Sequence, residues 1–156
     1  MRHDGFHATD DKQAVRDEVF NLLAQLNFKV DAVVLDKSKA FPHLQRDEHS
    51  FYKIAWYLLF KHIAKRCFPD NEAGLVIAGS LGTKQKLRDF QNSISDVVHL
   101  YRHSGLVKAA AWSAASHPCL QIADYCCWAI QRAKEQNDER SYVLIQSKIE
   151  SCFSPW

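Results

Sequence analysis

Apolar positions recur at helical spacing along most of this chain. Val15, Val19, Leu22, Leu23 and Leu26 repeat every three or four residues and predict an amphipathic helix, with Thr9 or Asp10 as its cap. Phe28 to Leu35 is β-branched and apolar-rich, and predicts a buried strand that ends at Asp36-Lys37-Ser38. Pro42 marks the loop that follows. Asp47 to Arg66 predicts a long helix with Phe51, Ile54, Ala55, Leu58, Leu59 and Ile63 inward. Gly74 to Ala78 predicts a second strand, Gly79-Ser80-Leu81-Gly82-Thr83 a turn, and Lys84 to Leu100 an amphipathic helix. Leu106 to Trp112 predicts a third strand. A helix containing Asp124 follows, then a last helix from Arg140 to Cys152 capped by Asp138. Strands alternating with helices imply an α/β fold with a mainly parallel sheet flanked by helices.

The Asp124 helix is the most unusual segment. Leu120-Gln121-Ile122-Ala123-Asp124-Tyr125, followed by Cys126-Cys127-Trp128-Ala129-Ile130, sets a carboxamide and a carboxylate one turn apart in otherwise apolar sequence. Ser116 or His117 can cap this helix, and Pro118 suits its first turn. Leu120, Ala123, Cys127 and Ile130 form one apolar row, and Ile122, Cys126, Ala129 and Ala133 a second. Gln121, Asp124, Trp128, Gln131 and Glu135 share the remaining face. A buried carboxylate requires a metal ion, a cation or hydrogen-bond donors to offset its desolvation. Asp124 therefore either anchors a loop by hydrogen bonds or belongs to a site.

Composition narrows the classes. The 156 residues are 47% hydrophobic and 24% charged, which suits one compact domain with a core of its own. A formal charge of +2 is too small to argue for nucleic-acid binding by itself. The five cysteines are odd in number and contain no C-x-x-C pair, so neither a zinc site nor a disulfide framework is expected. The longest apolar run, around Ile54 to Phe60, is too short to span a bilayer. No secretory core follows the first residues, and the expectation is a cytoplasmic protein with no membrane partner.

Ligands of parallel sheets gather beyond the carboxyl ends of the strands, where Asp36, Lys37, Ser80 and Thr83 fall. Asp36 and Asp124 are the best carboxylate pair for a divalent metal that activates water, although Asp36 also reads as a solvated strand end. Lys37 and Lys84 can neutralise a phosphate, or are ordinary surface lysines. Gly79-Ser80-Leu81-Gly82-Thr83-Lys84 lacks the spacing of a nucleotide-binding P-loop and reads better as a strand-to-helix turn capped by Thr83. His103, His117, Ser113 and Ser116 cluster ahead of Asp124, but no Gly-x-Ser-x-Gly elbow supports a serine hydrolase.

Leu120 to Tyr125 with Trp128-Ala129-Ile130, then Asp138-Glu139-Arg140-Ser141-Tyr142, resembles the C-terminal signature of the domain-of-unknown-function 3800 family. Phe6-His7-Ala8-Thr9 with Val15-Arg16, Val33-Val34-Leu35-Asp36-Lys37, and Ser80-Leu81-Gly82-Thr83-Lys84 are similar to its earlier landmarks, in the same order. The resemblance implies an RNase H-like fold and a metal-dependent nuclease using Mg²⁺ or Mn²⁺, of a kind linked to mobile elements or phage defence. In it Asp124 is the C-terminal acidic residue of the site and Gln121 its motif neighbour; the expectation is that Gln121 orients a ligand or water and that Ser80 binds substrate. Members usually begin with a strand bearing an Asp-Glu-Ser-Gly-like motif, which no residue here matches. The expectation is a domain truncated at its N-terminus, weak or inactive as a nuclease, with an exposed apolar edge that favours self-association. The alternative is a non-catalytic module that binds nucleic acid or protein.

Overall fold

A computed structural model describes residues 5–69, 72–79, 82–101 and 107–156. The elements run α1 (Gln13–Gln25), β1 (Val30–Val33), α2 (Pro42–Arg46), α3 (Glu48–Cys67), β2 (Gly74–Gly79), α4 (Lys84–Tyr101), β3 (Val107–Trp112), α5 (Pro118–Gln136), α6 (Arg140–Ile145) and β4 (Ile149–Phe153). The fold is mixed α/β. Two compact units are present: Met1–Ala32 with Ser113–Ser151, and Val33–Trp112 with Cys152–Trp156. Among the described residues the expected single sheet is two sheets of two strands, β1 with β4 and β2 with β3. The second pair is parallel, in register from Gly74 opposite Val107 to Gly79 opposite Trp112.

The first unit is built on α1, α5 and α6. Its core joins Ala8, Phe20, Leu23, Tyr125, Cys126, Ala129 and Ile145. Phe20 is fully buried, with its ring centroid 5.3 Å from that of Tyr125 and 6.1 Å from that of Trp128. Burial pushes the Cys126 thiol up to about 12, so it is inert as a nucleophile. Of the predicted apolar rows of α5, Ile122, Cys126 and Ala129 of the second lie in the core, and Ile130 of the first is buried; Ala123 and Cys127 of the first are exposed, and Tyr125 takes the central place. The N-cap of α1 is Lys12, three residues after Thr9 and two after Asp10, the predicted caps, and it makes no side-chain cap bond.

The second unit packs α3 on α4 and β2 on β3. Its core is Phe60, Ala64, Ala78, Phe90, Ile94 and Val97, with Tyr52, Trp56 and Ile63 against it. The inward stripe of α3 is Tyr52, Trp56, Phe60 and Ile63–Ala64; of the predicted Phe51, Ile54, Ala55, Leu58, Leu59 and Ile63, Ile63 packs on this core and the others are half-buried outside it, a rotation of the face. Aromatic stacking decides the rotation: Trp56 lies 5.3 Å from Phe60 and 4.7 Å from Phe90, ring to ring. Pro42 opens the short helix α2 instead of marking a loop. Asp47 caps α3 through the N–H groups of His49 and Ser50.

The largest departure is at the C-terminal end. The predicted helix to Cys152 stops at Ile145, and Ile149–Phe153 forms strand β4. Asp138 is not the N-cap, which is Glu139, but it binds the turn more firmly. Its carboxylate accepts from Arg140 Nε at 2.9 Å and Nη2 at 3.0 Å, and from Arg132 Nη2 at 2.9 Å. Arg140 first, then Arg132, hold this carboxyl well below the usual carboxylate range. Because the folded value lies below the unfolded one, the bridge stabilises above the ordinary carboxylate pKa, and that contribution is lost as pH falls through the folded value. Asp138→Asn should therefore melt below the wild type at pH 7, and the gap should close as pH falls below about 4. Thermal melts across that range check it; a gap unchanged at low pH would mean the bridge does not stabilise the turn.

Among the described residues, no helix is long and apolar enough to cross a membrane. All five cysteines are free thiols.

Candidate functional site

Helix α5 sets the geometry. Pro118 has no N–H to leave unsatisfied in the first turn, and His117 Nδ1 accepts the N–H of Cys119 at 3.2 Å. The helix then presents Gln121 and Asp124 one turn apart on one face. Both hold the backbone of residues 5–8. Phe6 N–H donates to Gln121 Oε1 at 3.2 Å, and Ala8 N–H donates to Asp124 Oδ2 at 2.9 Å. Gly5 has φ +73°, and a Cβ there would come within 2.8 Å of Gln121 Nε2, so the segment needs glycine at this point.

The segment brings His7 to Asp124. His7 Nδ1 lies 3.5 Å from Asp124 Oδ2, with side chains 52% and 34% exposed respectively. Asp124 Oδ1 has no partner among the described residues. Behind the pair, Asp11 Oδ2 accepts from His7 N–H at 2.9 Å and from the Tyr125 hydroxyl at 2.6 Å. Burial first, then Asp11, pushes the Tyr125 phenol above its ordinary value, so it remains a donor. Arg16 Nη1 donates to the Ala8 carbonyl at 2.8 Å, and its guanidinium lies 4.9 Å from the Trp128 ring centre.

Of the residues singled out in the sequence, Asp124 and Gln121 belong to the first unit and Asp36, Lys37 and Lys84 to the second. Ser80 lies outside the described residues, as do Leu81 and His103. Asp36 caps the turn Lys37–Lys39: Oδ1 accepts from Ser38 N–H at 3.0 Å and Ser38 Oγ at 2.6 Å, while Lys39 Nζ lies 3.6 Å from Oδ2. Those Ser38 bonds lower its pKa. Lys37 Nζ is 6.0 Å from the Phe51 ring centre. Lys84 opens α4, and Thr83 caps it by accepting from Lys86 N–H at 3.1 Å.

His7, Asp11, Tyr125 and Arg16 complete the cluster and were given no role from sequence. The signal for His7 was its place in Phe6-His7-Ala8-Thr9, a landmark of the resemblance; its partner stands 117 positions away. Among the described residues, no group of three or more His, Cys, Asp or Glu side chains is placed to hold a metal ion. The 3.5 Å between His7 Nδ1 and Asp124 Oδ2 lies in the range spanned by two ligands of one divalent cation. Two ligands about 2.1 Å from one ion stand roughly 3–3.5 Å apart. Gln121 does not join them, because its amide oxygen faces Phe6 N–H. Compared with protein-family models, with curated proteins and with solved structures, the chain matches none.

Proposed function

We propose that this chain is a nuclease-like domain acting on nucleic acid phosphodiesters, with Mg²⁺ or Mn²⁺ held by Asp124 and His7. The observation that carries the reading is the 3.5 Å separation of His7 Nδ1 from Asp124 Oδ2 at a part-exposed surface. Asp124 Oδ1, without a partner among the described residues, offers a further oxygen to the same ion or to water. A bound cation would supply the activated water and the charge that stabilises the leaving oxygen. The other residues position this pair. Gln121 holds Phe6, Tyr125 and His7 N–H meet at Asp11, and Arg16 ties down Ala8, so His7 is fixed from both sides. Two protein ligands make a weak site, and cleavage by the chain as it stands is expected to be weak or nil.

One observation favours a second reading, a non-catalytic module that binds nucleic acid or protein. Asp124 Oδ2 accepts the Ala8 N–H, which is the bond a purely structural anchor makes. A titration with Mn²⁺ followed by NMR separates the two. The first reading expects selective broadening of the His7 ring and of residues 121–124, lost in Asp124→Asn, whose amide oxygen can still accept from Ala8. Incubation with single- and double-stranded DNA and RNA then tests for cleavage that follows the same variant. Mn²⁺ that leaves the His7 resonances sharp would overturn the metal reading in favour of the second.

A further inference from the structure

We infer that the first unit carries a docking groove for a basic amphipathic helix of a partner protein, a property separate from the metal reading. A cavity of about 780 Å³ opens along α1, walled by Val15, Val19, Leu22 and Leu26 on one side and by Pro118 and Ile122 on the other. The α1 positions step by four, three and four residues. That 4-3-4 spacing is the seam by which one helix meets another. From Ala14 to Leu26 the groove runs about 18 Å, three turns of a partner helix. Phe6 and Leu22 are each 54% exposed and Leu26 37%, so the seam lies open.

Charge chooses the occupant. Glu18 is the one carboxylate on the groove wall, and it has no partner among the described residues. An apolar surface around an unpaired carboxylate suits a helix whose leucine-like face is flanked by Lys or Arg. A second copy of this chain suits it poorly. Glu18 lies near the middle of α1, so a two-fold pairing of α1 with itself brings the two carboxylates together.

The test uses the full chain and three fluorescent peptides of about 14 residues, long enough for three turns. One has leucines at helical spacing flanked by lysines, one has the same leucines flanked by glutamates, and one is the first scrambled. The expected result is saturable binding of the lysine peptide, preferred over the glutamate peptide by about three- to tenfold and over the scrambled one by more. Glu18→Lys should reverse the order of the two charged peptides. Leu22→Asp should weaken both by about tenfold or more, with the circular dichroism of the free protein unchanged because Leu22 is exposed. Equal binding of all three peptides, or a preference that Glu18→Lys leaves unchanged, overturns the proposal. Sedimentation that shows a dimer dissociated by Leu22→Asp overturns it too, by assigning the groove to a second copy. Failure of the Mn²⁺ experiment would leave this result untouched, since none of these variants touches Asp124 or His7.

Discussion

Replacing Phe20 with alanine is expected to lower the unfolding free energy of the first unit by about 3–5 kcal/mol, the cost of removing a buried aromatic side chain whose site cannot fully collapse. Phe20 has no solvent exposure, and Tyr125 and Trp128 both pack their rings against it. Domains of this size are typically stable by only about 5–15 kcal/mol, so the variant should sit near the edge of folding. Urea denaturation followed by tryptophan fluorescence gives the number directly, because Trp128 lies against the cavity. Phe20→Leu, which keeps most of the volume, should cost less than about 1.5 kcal/mol. A loss under about 1 kcal/mol for the alanine variant would mean that α1 is not fastened through this residue. The consequence for the site is concrete. The core that Phe20 completes is also what presents Tyr125 to Asp11, and through Asp11 it holds the segment that carries His7.

The parts of this chain that the sequence made legible are those with local causes. The helices α1, α3, α4 and α5 each announce themselves by 3.6-residue periodicity, and their ends fall within a few residues of prediction. The short parallel strands β2 and β3 read as apolar runs for the same reason. What failed depends on partners far away. Strand β4 looked like the tail of a helix because Tyr142 to Ile145 lies in one; only pairing with the distant strand β1 makes Ile149–Phe153 extended. The contacts that fasten this pairing are invisible to any local window. Lys29 meets Glu150 at 2.9 Å, the Ser151 hydroxyl donates to Asp31 at 2.5 Å, and the Val34 N–H donates to the Phe153 carbonyl at 2.9 Å. Most of the α3 stripe lies elsewhere because hydrophobicity alone does not rank Trp56 above Leu58; stacking on Phe60 and a tilted ring contact with Phe90 do. The site shows the same division. Asp124 and Gln121 were legible as polar residues on an apolar helix. The use made of them, a clamp on Phe6 and Ala8 that delivers His7, needs the fold. Asp36 caps its own turn, accepting from Ser38 and lying beside Lys39.

Tyr125→Phe isolates one atom in that chain of support. The hydroxyl donates to Asp11 Oδ2 at 2.6 Å from a residue with no solvent exposure, and the ring stays in place when the oxygen is removed. A hydrogen bond to a charged group contributes about 1.5–3 kcal/mol, and its loss leaves Asp11 less well satisfied. The expected stability loss is of that size, smaller than for Phe20→Ala and without a cavity. The more informative effect is on His7. Its N–H shares the same Asp11 oxygen, at 2.9 Å, so removing the Tyr125 bond to that oxygen loosens the segment that sets Nδ1 3.5 Å from Asp124. In Tyr125→Phe the amides of residues 6–8 should exchange with solvent faster than those of α5, and Mn²⁺ should broaden the His7 ring less at equal concentration. A purely structural hydroxyl would give the stability loss with exchange and broadening unchanged. Both readouts moving together would mark Tyr125 as the residue that positions His7, and would tie the core around Phe20 to the surface where Asp124 is exposed.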